Sequence, residues 1–154
     1  MRAAFTGAIL LLAGWHSVAY SDAGTEAEPT LVLVANPRVT FKTLSIGEVR
    51  RLFLGIPVTK DGERLIPLRN YSSPLLKQVF LQKIIFMSER NYERQLMHRT
   101  FRFGNSRSKF LNDTDSVVQA LEKTVNGVSY MWSSDAAKIG HFQIIGVAWS
   151  KSAQ

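Results

Sequence analysis

Residues 69–73, Arg-Asn-Tyr-Ser-Ser, hold the densest oxyanion chemistry in this chain. Ser73 precedes Pro74, a pair that opens a helix with Ser at the N-cap and Pro at the first helical position. Such a terminus presents unpaired N–H groups and a partial positive charge, both attractive to anions. The hydroxyls of Ser72 and Ser73 can donate to an oxyanion, and Arg69 can add a charge-assisted bond. A purely structural role fits the same residues. Ser73 then caps its own helix, Ser72 fills the turn and Arg69 is solvated, while Pro74 removes an N–H that an anion would use. The sequence leaves both readings open.

A second concentration spans residues 90–109. Arg90, Arg94, His98, Arg99, Arg102, Arg107 and Lys109 alternate with Tyr92, Phe101, Phe103 and Phe110. Cations interleaved with aromatics suit a nucleic acid or an acidic partner. They equally suit a helix with a solvated basic face and a buried aromatic one.

Other chemistries have little to stand on. Without cysteine there is no thiolate nucleophile and no Cys-based metal site. His98 and His141 are far apart in the chain, and neither a nucleophile elbow nor a phosphate-binding Gly-Lys loop occurs. The carboxylates are scattered; Asp113 and Asp115 suit the start of a helix better than acid–base work. No enzymatic activity and no cofactor is expected.

The elements that position these residues follow from periodicity. Residues 30–35, Thr-Leu-Val-Leu-Val-Ala, form an unbroken β-rich run, as for a strand buried on both faces. Residues 45–54 read as a helix: Ser45 and Glu48 make a capping-box pair, Ile46, Val49, Leu52 and Phe53 recur at helical spacing, and Gly55 stops it. Asp61-Gly62 marks a turn. Residues 64–68 make a strand placed at a sheet edge by Pro67. Helices follow from Ser73 through Ile84, from Ser88 to about Arg99, and from Asp113 to Val125 with Asn126-Gly127 as its cap. Residues 128–132 and 143–149 are two more strands. Residues 57–63 and 104–112 are expected to be mobile loops. The order predicts a three-layer α/β domain with a mixed sheet.

The same landmarks carry a resemblance. Leu31-Val32-Leu33-Val34-Ala35-Asn36-Pro37, then Arg51-Leu52-Phe53-Leu54-Gly55, Asp61-Gly62, Ile66-Pro67-Leu68, a Ser-initiated helix with Phe80, and Asn126-Gly127-Val128-Ser129-Tyr130 occur in order. This resembles the phosphate-type periplasmic solute-binding proteins of ABC transporters, above all short exported members with about one lobe of that fold. The likeness runs from Leu31 to Tyr130. It implies a three-layer periplasmic-binding-protein-like (type II) single lobe with a mixed sheet, and a ligand contact at Arg69, Ser72 and Ser73. Three departures stand out. Ser129 interrupts the family's Gly-x-Ile-Gly-Tyr. Met97-His98-Arg99-Thr100-Phe101-Arg102-Phe103-Gly104 lacks its Trp. Ser72-Ser73-Pro74 replaces Ser-Gly-Thr.

The amino-terminal residues read as a secretory signal. Arg2 precedes the apolar run Ala8-Ile9-Leu10-Leu11-Leu12-Ala13, and Ala19-Tyr20-Ser21 places small residues before a cut ahead of Asp22. The run is shorter than the roughly 20 residues that span a bilayer. Cleavage removes one Arg and lowers the formal charge from +7 to +6. The expected organisation is a signal at 1–21, a leader at 22–29 and one domain at 30–150, periplasmic or secreted. A basic surface favours anionic partners. The expected function is non-catalytic binding of phosphate or another small oxyanion, beside a membrane transporter or sensor protein, with no nucleic acid. One lobe leaves such a ligand exposed unless a partner or second copy covers it. The alternative is a periplasmic interaction or adaptor module with no small ligand.

Overall fold

The computed structural model describes residues 28–104 and 109–151. The expected signal segment and residues 22–27 of the leader lie outside them.

At the centre of the fold is β1 (Thr30–Ala35), every residue after Thr30 buried. Its alternating side chains divide the interior. Leu31, Leu33 and Ala35 enter one apolar cluster, while Val32 and Val34 enter a second on the opposite face. Antiparallel neighbours flank it on both sides: β7 (Gly127–Trp132), with Leu33 opposite Tyr130, and β8 (Gln143–Ser150), with two register shifts. β4 (Ile66–Pro67) adds the edge strand, parallel to β7, giving the order β4-β7-β1-β8. Ile66 N–H donates to Asn126 and Leu68 N–H to Val128, so Pro67, which has no N–H, occupies the position that bonds outward.

Helices cover both faces, which makes the expected three layers. The larger cluster joins the sheet to α1 (Ile46–Phe53), α2 (Pro74–Val79) and α3 (Glu89–Phe103); the smaller joins it to α4 (Thr114–Lys123) and α5 (Ser133–Ile139). The capping box of α1 forms: Ser45 Oγ accepts from Glu48 N–H at 3.3 Å, and Glu48 Oε2 accepts from Ser45 N–H at 2.8 Å. Three of the sequence landmarks converge in the core. The rings of Phe53, Phe80 and Tyr130 pack together, Phe80 stacked on Tyr130 at 3.6 Å and Phe53 edge-on to both.

Several expectations change. The stretch 57–63 contributes to a hairpin, β2 (Thr59–Lys60) and β3 (Glu63–Arg64); Asp61 and Gly62 both have positive φ, 50° and 83°, the backbone a two-residue hairpin loop requires. α2 widens into a π-helical stretch at Phe80–Ile85. α3 extends to Phe103, and Gly104 with φ of 62° ends it. α4 stops at Lys123, and Gly127 is not its cap but the first residue of β7. A side chain there would meet Leu68 Cδ1 and the Thr124 carbonyl oxygen, each at 2.9 Å. Between β7 and β8, expected as successive strands, α5 intervenes. Two further strands not expected from the sequence, β5 (Arg69–Asn70) and β6 (Phe110–Leu111), form a short parallel pair. That pair lies partly within the expected loop 104–112, whose residues 105–108 are outside the described ones.

Candidate functional site

Arg69 does not lie on the surface. Leaving β5, its side chain turns into the interior and is 3% exposed. Nε donates to the Tyr92 hydroxyl at 3.0 Å, and Nη2 donates to the Phe53 carbonyl at 3.0 Å. Tyr92 also donates to that carbonyl, at 2.7 Å, closing a triangle between β5, α3 and the end of α1. Burial pushes the Tyr92 phenol up, opposed by the nearby guanidinium. The partners of Arg69 are thus all neutral. Among the described residues no carboxylate forms an ion pair with it. A buried charge without a counter-charge is costly in a protein interior.

Ser72 and Ser73 sit one turn further along, and both are half-buried. The Ser72 N–H donates to Asn70 Oδ1 at 2.9 Å, an Asx-type turn. Ser73 Oγ accepts from Leu76 N–H at 3.4 Å, so the hydroxyl caps α2 while its hydrogen remains available.

Beside Arg69 opens a cavity of about 770 Å³. Its walls come from the loop after α1, the strand segment 64–69, α3, β6 and α4. Arg69 lines it; Ser72 and Ser73 do not. Four further cations share the lining: Arg64, Arg99, Lys109 and Lys123. Its described lining contains no Asp or Glu. Arg99 is the most telling of these. Its Nε is sealed from solvent and has no hydrogen-bond partner. Its stem packs at Gly55, where an added Cβ would meet Arg99 Cδ at 3.3 Å and Leu96 Cδ2 at 3.6 Å. Gly55 also has φ of +79°, so a side chain would be strained as well as crowded. Five positive residues in a lining whose described part has no carboxylate favour an anion.

The basic segment 90–109 divides between several roles. Tyr92 belongs to the core triangle, and Phe110 stacks on Tyr71 at 4.7 Å. Arg99 and Lys109 line the cavity. Phe101 and Phe103 are exposed on the outer end of α3. Arg107 lies outside the described residues.

No family model matches the chain, and no curated protein matches it. Its fold is a single periplasmic-binding-protein-like lobe, and solved structures share it. The chain superposes on a Clostridium perfringens protein assigned as a phosphate ABC transporter substrate-binding protein and solved with bound phosphate, at TM-score 0.58 and 11% identity over 76% of this chain and 44% of that one. Borrelia burgdorferi PstS gives TM-score 0.55 and 11% identity over 77% of this chain and 47% of that one. A phosphate-binding assignment also goes with the Planctomyces limnophilus structure, which matches at TM-score 0.54 and 12% identity over 76% and 40%. This chain therefore spans less than half the length of each. No helix among the described residues is long and apolar enough to cross a membrane.

Proposed function

We propose that this chain is an exported, non-catalytic domain that binds a small oxyanion in the cation-lined cavity beside Arg69. One observation carries the reading: among the described residues, a buried arginine, 3% exposed, bonds only neutral partners and lines a cavity whose described lining holds no carboxylate. An anion bound there supplies the counter-charge that Arg69 lacks, in surroundings where water screens the attraction poorly. Arg99, packed beside Gly55, brings a second guanidinium to the same lining. The fold shared with phosphate-binding proteins supports the same class of ligand. Work beside a membrane transporter or sensor in the periplasm belongs to this proposal, as does the signal at residues 1–21.

Thermal unfolding in millimolar phosphate, sulfate, nitrate or chloride at matched ionic strength tests it. A ligand at 100 times its dissociation constant adds about 2.7 kcal/mol, a shift of several degrees for a domain of this size. A rise selective for phosphate or sulfate, lost in Arg99→Gln, is the expected result. Equal responses to all four anions would sink the proposal.

A further inference from the structure

The cavity is far roomier than an inorganic oxyanion requires. At about 770 Å³ it falls within the range of sites that enclose whole organic ligands, roughly 300–1,000 Å³. Its lining is also mixed. Ile56, Pro57, Ile66, Pro67 and Leu68, none of them buried, contribute apolar wall between the five cations. A bare phosphate satisfies the cations and leaves those walls against water. A bare polyphosphate does the same, and its extra charges would lie along aliphatic surface. An apolar molecule without charge fails in the opposite way, because it leaves the cations of the lining, Arg69 among them, without a counter-charge.

We infer that the ligand of this cavity is an organic phosphate, an apolar or aromatic body carrying a phosphoryl group. The inference rests on the oxyanion reading and narrows it. The phosphoryl group meets Arg99 and Arg69. The organic body covers the aliphatic wall formed by Ile56, Ile66 and Leu68, and burial of that surface supplies affinity that inorganic phosphate cannot reach. The arrangement also gives selectivity, since a ligand must satisfy both kinds of wall at once.

Calorimetric titration of the purified chain with phenyl phosphate, inorganic phosphate and phenol at matched ionic strength provides the test. Phenyl phosphate is expected to bind at least about tenfold more tightly than inorganic phosphate, and phenol not measurably; burial of a ring readily supplies that factor. Ile56→Ser, at a half-buried wall position, should erase the preference and leave inorganic phosphate unchanged. Arg99→Gln should weaken both phosphates by about tenfold or more. Circular dichroism verifies that each variant is folded. Equal affinity for the two phosphates overturns this inference and leaves the oxyanion reading standing. Binding of neither overturns both. Phenol binding as tightly as phenyl phosphate, or a preference that survives Ile56→Ser and Arg99→Gln, also overturns the assignment, because the ligand is then recognised without the charge or outside this cavity.

Discussion

Arg69 has two roles that can be separated. It ties β5 to α1 and α3 through Phe53 and Tyr92, and it lines the cavity as a buried residue. Replacing it with Met removes two hydrogen bonds from a charged donor, each worth about 1.5–3 kcal/mol. The same change relieves the cost of burying a charge with no counter-ion. The Phe53 carbonyl keeps its bond from Tyr92 at 2.7 Å, so it is not orphaned. These effects oppose one another, and the net loss expected for Arg69→Met without ligand is about 1–2 kcal/mol. Phosphate should widen the gap, because it stabilises only the protein that has the counter-charge to offer. Urea unfolding of both proteins across a phosphate series measures this. A gap that stays constant with phosphate would assign Arg69 to structure alone.

Among the elements, α1 carries the clearest electrostatic device. Its capping Glu48 also bonds Lys60 of the hairpin at 2.8 Å, joining helix start to β2. The Lys60 ammonium, followed by the N–H and hydroxyl of Ser45, holds the Glu48 carboxyl down at about 2. A carboxylate whose folded pKa is lowered contributes stability above its unfolded value, near 4.5, and loses it as pH falls toward 2. The stability lead of wild type over Glu48→Gln should therefore be full at neutral pH, shrink between about pH 4.5 and 2, and be nearly gone below. Because the pair is partly solvated, the lead should also fall in high salt. Denaturant titrations at several pH values follow it; no lead at any pH would show that the cap alone, which Gln can supply, is what matters.

This device was readable from Ser45 and Glu48 because capping is local, as were the two-sided strand β1, the Asp61-Gly62 turn and the edge position of Pro67. The misses have other causes. β5 and β6 are two residues each and exist only through each other, so neither leaves a periodic trace. α5 had its signals, Ser133-Ser134-Asp135 at the start and Gly140 with φ of 74° at the end, but spans only seven residues between strands. Gly127 looks like a helix stop in sequence; the close approach of Leu68 that requires it is a tertiary fact. Of the cations that line the proposed cavity, the oxyanion motif of the sequence named only Arg69, and its burial, which comes from the packing of β5 against α1 and α3, leaves no local trace. Arg64, Arg99, Lys109 and Lys123 come from separate segments, and no spacing rule links them.

At the scale of the molecule, one sheet serves two apolar clusters. Because β1 sends alternate side chains to each, neither layer can open without exposing the reverse face of the same strand. The cavity is built across this division, with Leu52 and Leu96 from one layer and Ala120 and Lys123 of α4 from the other. Unfolding should then be a single transition. Leu121→Ala tests it from the smaller side. Leu121 is fully buried against α4's partners, and its truncation should cost about 2–5 kcal/mol. The near-ultraviolet signal should be dominated by Trp132, Trp149 and Tyr130, which belong to the larger cluster on the opposite face of the sheet. If β1 couples the layers, that signal and the far-ultraviolet helix signal fall together at the same lowered temperature. Phosphate then raises both together. If the aromatic signal keeps its wild-type midpoint while part of the helix signal melts early, the layers are independent. A ligand bridging α3 and α4 would in that case stabilise one without the other.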